Sequence, residues 1–96
     1  PDALGRVIKA FIHIALPSDK YELFLETARK DPRIVECHHI TGDDCSLLKV
    51  IVKDMYELEN VIDSIKSIGT TKTSVILSTP IQIYTIIKLT KTISLP

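Results

Sequence analysis

At 96 residues the chain is one domain's worth, long enough for a single hydrophobic core without disulfide staples. It is 45% hydrophobic and 25% charged, and its 12 basic residues balance 12 acidic ones, so no net field recruits nucleic acid or anionic lipid. A self-contained DNA binder would be more basic, no apolar run reaches the length of a membrane span, and no signal-peptide pattern opens the chain.

The chain begins Pro1-Asp2 without an initiator Met and reads as part of a longer polypeptide. Val7 to Leu16 alternates in the manner of a strand. Ile8, Ala10, Ile12, Ile14 and Leu16 form a wholly apolar face, the core side, and Val7, Lys9, Phe11, His13 and Ala15 a mixed one. Pro17 stops the strand. Asp19 with Glu22 spells an N-terminal capping box for a helix through about Arg29, with Tyr21, Phe24, Leu25 and Ala28 as its apolar stripe. Asp31-Pro32 ends that helix, because a residue before proline avoids the helical region.

Arg33 to Lys53 reads as a hairpin: two β-branched and apolar runs around the polar break Thr41-Gly42-Asp43-Asp44. Gly and Asp tolerate positive φ there. The turn gathers two carboxylates and free backbone N–H groups at one end of a sheet. Its second strand sets Leu48, Val50 and Val52 against Leu47, Lys49 and Ile51. Cys37 and Cys45, at either end of the hairpin, give no disulfide framework and read as reduced thiols of a cytoplasmic protein.

Asp54 with Glu57 repeats the capping box and opens a second helix to about Ser67, buried along Met55, Leu58, Val61, Ile62 and Ile65. Gly69 terminates it. Thr71 to Ser78 is a fourth strand broken by Pro80, and Ile81 to Leu95 alternates as one more. Strand–helix–strand thus occurs twice, with Tyr-Glu-Leu recurring at 21–23 and 56–58. The expected fold is α+β: a ferredoxin-like βαββαβ plait, an antiparallel sheet with two helices on one face, plus a C-terminal extra strand. Helices on one face leave the other bare. Val7, Phe11, Ile51 and either Val75 or Leu77 would lie there, and pairing two such sheets about a two-fold axis buries them.

Pro-Arg-Ile-Val-Glu-Cys (32–37), Ile-Thr-Gly-Asp (40–43), Leu-Leu-Lys-Val (47–50) and Thr-Lys-Thr-Ser-Val-Ile-Leu (71–77) span nearly the whole chain in order. In these words the chain resembles the amino-acid-sensing (RAM) domain of the Lrp/AsnC family of prokaryotic transcription factors. The resemblance implies a plait that dimerises through its sheet and assembles further, commonly to octamers. It also implies an N-terminal helix-turn-helix, lacking here, through which alone DNA would be bound, and a small effector, usually an amino acid, held between sensor domains. Carried over, the family's pocket falls on Gly42 and Asp43 of the turn and on Thr71 and Thr73 of the fourth strand. The chemistry is coherent: an α-amino group seeks a carboxylate, and an α-carboxylate seeks N–H and hydroxyl donors. The usual Gly-Asp-Tyr-Asp-Tyr turn is here Gly42-Asp43-Asp44-Cys45-Ser46, without its aromatics.

Plainer readings stand beside these. Asp43 and Asp44 are good turn formers and threonines ordinary strand residues. Asp44 joins the candidate effector site from within the turn, and His38 as a residue able to line a cleft beside it. Cys37 and His39 share a strand face, His38 points the other way, and with Cys45 their spacing matches no standard zinc pattern. No nucleophile-plus-base motif appears, so neither an enzyme nor a cofactor is expected. The reading is therefore an effector-sensing and oligomerisation domain, residues 1–96, with no membrane partner. The alternative is a stand-alone sensing module without a DNA-binding domain in the same chain.

Overall fold

A computed structural model describes residues 7–42 and 45–83. Six elements follow in order: β1 (Ile8–Ala15), α1 (Tyr21–Arg29), β2 (Ile34–His39), β3 (Cys45–Val52), α2 (Met55–Ile65) and β4 (Thr70–Val75). The strands form one antiparallel sheet in the order β2-β3-β1-β4, the ferredoxin-like plait expected from the sequence. Among the described residues no helix is long and apolar enough to cross a membrane.

Alternation decides the core. Ala10, Ile12 and Ile14 of β1 and Leu48, Val50 and Val52 of β3 turn to the helices and are buried. Phe24 and Ala28 of α1 and Leu58, Val61 and Ile65 of α2 are buried opposite them, one stripe from each helix. Met55, expected in that stripe, stands exposed at the first position of α2. Gly69 returns the chain to the sheet by close approach: a Cβ there would lie 2.4 Å from the Ala15 carbonyl oxygen.

The two helix starts differ. Asp54 is extended and its carboxylate accepts from the Glu57 N–H at 2.9 Å, while Glu57 reaches back to the Lys53 N–H at 2.9 Å. Asp19 does not cap α1. Extended Pro17 leads into a 3-10 turn, Ser18–Lys20, closed by the Lys20 N–H on the Pro17 carbonyl at 3.0 Å. Asp19 sits inside that turn, and Lys20 precedes the helix with no side-chain cap.

Edge strands depart most from simple alternation. In β2, Ile34 faces Val50 and Glu36 faces Lys49, so Val35 is the extra residue of a β-bulge. The bulge puts Cys37 and His39 on the helix face, level with Leu48 and Ser46, and Glu36 and His38 on the open face. β4 ends at Val75, three residues short of the expected Ser78. Its register sets Val75 beside Ala10 on the helix face, not the open one, and Leu77 lies beyond the strand, 95% exposed. Ile81–Ile83 carry no strand, and the rest of the expected fifth strand lies outside the described residues.

Candidate ligand-binding site

The β2–β3 turn, the end of β1 and the start of β4 meet at one end of the sheet. Pairing there gives two rows across all four strands. His39, Ser46, Ile14 and Thr71 face the helices, and His38, Leu47, His13 and Lys72 face away. One step further in, Cys37, Leu48, Ile12 and Thr73 form the next helix-side row. Gly42 has φ 119° at an exposed position, a conformation that side chains on L residues rarely adopt. Asp43 and Asp44 lie outside the described residues.

Gly42, Thr71 and Thr73 therefore share an end of the sheet but lie toward opposite edges. Thr71 and Thr73 are half-buried on edge strand β4, and the turn springs from β2 and β3. Strands lie about 4.8 Å apart, so β2 and β4 are separated by roughly 14 Å. His38 lies on the face opposite the threonines. Its Nε2 is 2.8 Å from Glu36 Oε1, and Lys49 Nζ is 3.9 Å from the other carboxylate oxygen. The hydrogen bond to His38 and then the Lys49 charge hold the Glu36 carboxyl below the usual glutamate range.

The helix side of the same end holds residues that motif reasoning passed over. Leu16, Pro17, Ser18, Tyr21, His39 and Ser46 line a half-enclosed cavity of about 180 Å³. Ser46 is the polar member of the row Ser46, Leu48, Val50, Val52 and is 1% exposed. A polar residue in phase with a buried strand face was the available signal. Next to this cavity, Cys37 borders a groove between α1 and β2 with Leu25, Ile34 and Val35, and burial pushes its thiol pKa up. Among the described residues no three His, Cys, Asp or Glu side chains converge as a metal site would require.

Residues 9–86 match the family described as the Lrp/AsnC ligand binding domain. The HTH-type transcriptional regulator FL11 of Pyrococcus horikoshii is 35% identical over 82 residues, 82% of this chain and 54% of the relative. The structure of Bacillus subtilis LrpC superposes with a TM-score of 0.75 at 25% identity, covering 83% of this chain and 57% of that one. The transcriptional regulator NMB0573 of Neisseria meningitidis, solved as its L-Met complex, shares the fold. It has a TM-score of 0.75 at 24% identity, over 88% of this chain and 58% of that one. The chain thus spans about half the length of the curated relative it matches. Those relatives are regulators of transcription, not enzymes. With the plait, its register and a match over most of its length, the chain belongs to the Lrp/AsnC ligand-binding domain family.

Proposed function

We propose that this chain is the effector-sensing and oligomerisation domain of a cytoplasmic Lrp/AsnC-type regulator, binding an amino acid where copies of the domain meet. The observation that carries the reading is the split site: turn and threonines occupy one end of the sheet on opposite edges, about 14 Å apart. Ser46 and Ile14 between them are buried within the protomer, so a ligand that touches both edges needs a wall supplied by a neighbouring copy. Phe11, Leu47 and Ile51 support the assembly step. They sit half-buried on the open face with no helix among the described residues over them, and two such faces packed about a two-fold axis give a dimer, the unit of larger rings up to an octamer. In the cleft Asp43, with Asp44 beside it, meets the ligand's ammonium, while Gly42 lets the ligand reach backbone N–H groups and Thr71 and Thr73 offer hydroxyl donors to its carboxylate. His38, on the face opposite the threonines, takes no part in this cleft. The L-Met complex of NMB0573 makes methionine the first amino acid to try.

Occupancy favours one assembly over another, and helix-turn-helix domains tethered elsewhere in the protein are respaced against their operator half-sites. Thermal-shift screening of the amino acids, followed by calorimetry, tests the proposal, since a ligand specific to the native state raises apparent stability. Asp43→Ala and Thr73→Val each weaken binding by about 1–3 kcal/mol, as for polar partners left unpaired. Titrations that these changes leave untouched place the site elsewhere. A helix-turn-helix pattern upstream in the reading frame decides for the regulator over the stand-alone module.

A further inference from the structure

We infer that Gly69 is a positioning residue for ligand binding. Its bare backbone lets the α2–β4 connection seat against the end of β1, and that seating sets where Thr71 and Thr73 present their hydroxyls. The inference rests on the proposed function for the role of the two threonines, while its structural half is decided without any ligand.

Gly69 is held from both sides. Upstream, α2 ends at Ile65, the Ile68 N–H donates to the Ile65 carbonyl at 2.9 Å, and the Ile68 side chain is buried in the core. Downstream, β4 starts at once with Thr70 opposite Ala15, then Thr71 opposite Ile14 and Thr73 opposite Ile12. One residue thus joins a core anchor to a paired strand, and the connection has no slack to absorb a displacement.

The neighbours of Gly69 cannot retreat. A Cβ there would run into the Ala15 carbonyl oxygen and lie 2.9 Å from the Leu16 Cβ. The first is strand main chain, and the second is the root of a buried side chain, not a flexible tip. The φ of Gly69 lies outside the left-handed region, so the neighbours and not its own dihedral call for glycine. Restoring ordinary contact distances moves the connection by roughly an ångström. That movement has one outlet. Among the described residues β1 lies between β3 and β4, whereas β4 is an edge strand held along one side, and Ile68 is locked in the core. The displacement therefore goes into Thr70–Thr73. Hydrogen bonds to a ligand weaken steeply over such a shift, and the Gly42 turn on the far edge does not move with it. Gly69 in this way fixes the span between the two halves of the split site.

Gly69→Ala tests this against Ile68→Val, which trims the neighbouring core residue and leaves the path of the connection alone. In ¹⁵N–¹H spectra Gly69→Ala moves the amides of Ala15, Thr71 and Thr73, while those of Leu58 in α2 and Val50 in β3 stay in place. Calorimetric titration with L-methionine shows binding weakened about tenfold in Gly69→Ala. Ile68→Val stays within about twofold of wild type, even where its urea midpoint falls as far. Light scattering shows the wild-type assembly in both, which separates the effect from a lost dimer. Should Gly69→Ala not fold, one glycine inserted between Ile68 and Gly69 loosens the same connection with no added Cβ, and the same readouts apply. The inference is overturned if the amide shifts stop at Ile68 and Thr70, or if Ile68→Val weakens methionine as much as Gly69→Ala at equal loss of stability. Wild type that does not take up L-methionine counts against the proposed ligand, and the amide shifts then decide the positioning by themselves.

Discussion

On β1, Ala10, Ile12 and Ile14 point to the helices and expose nothing, whereas Lys9, Phe11 and His13, one residue over, point the other way. The first face is purely apolar and its partners lie within the same chain. The second alternates apolar and basic residues, flanked by Lys49 on β3 and Lys72 on β4. This domain spends one sheet face on folding, and the proposed assembly uses the other. Truncating Ile12 and Phe11 separately breaks the comparison apart. Ile12→Ala leaves a cavity in the core and costs about 2–5 kcal/mol in urea denaturation. Phe11→Ala changes protomer stability far less and acts on assembly, shifting the species seen by size exclusion with light scattering toward monomer. Equal stability losses at the two positions would end the division of labour.

The helix layer is also tied on by charge. Arg33 binds both oxygens of Asp31 at 2.9 Å and extends to Asn60 of α2 at 2.9 Å, so the α1–β2 connection is clamped to the second helix. The hydrogen bond from Arg33 holds the Asp31 carboxyl below its ordinary pKa of 3.8 and raises the guanidinium's in turn. A carboxyl with a depressed native pKa stabilises the fold above its unfolded value and loses that contribution as pH falls through the native one. Asp31→Ala therefore costs about 1–3 kcal/mol at neutral pH. The gap from wild type narrows in urea melts only below about pH 3.8. A gap that stays constant to lower pH would assign the loss to packing instead of charge.

A smaller effect compares the two helix starts. Asp54→Ala removes a working N-cap and costs about 1 kcal/mol, while Asp19→Ala removes no cap and costs a few tenths at most. The pair also marks where the sequence could be read and where it could not. Both Asp-x-x-Glu words look alike, but Pro17, two residues before Asp19, starts a 3-10 turn that swallows the first Asp. Strand order, core face and helix stripes were legible because period-2 and period-3.6 patterns report burial directly. The site was less so. Thr71 and Thr73, two apart on a strand, share a face by period alone, yet which face follows from pairing with Ile14 and Ile12. The bulge at Val35 is invisible to alternation. Counting by twos from half-buried Ile34 would turn His38 inward, and the bulge turns His39 inward instead, into the cavity.

The smallest expected effect on the fold separates the two faces most cleanly. Among the described strand residues of the open face, Glu36 is the single acid beside Lys9, Lys49, Lys72, His13 and His38. Two copies meeting through these faces bring like charges together, and Glu36 is the internal counter-charge that offsets them by its contacts with His38 and Lys49. Because Glu36 is solvated, Glu36→Gln leaves the unfolding midpoint of the protomer where it was. Association responds instead. The variant dimer dissociates at higher protein concentration than wild type in low salt, and added salt brings the two together as the Debye length contracts. A variant whose dimer is unchanged at low ionic strength would mean that these faces do not meet. The apolar trio Phe11, Leu47 and Ile51 would then need another cover.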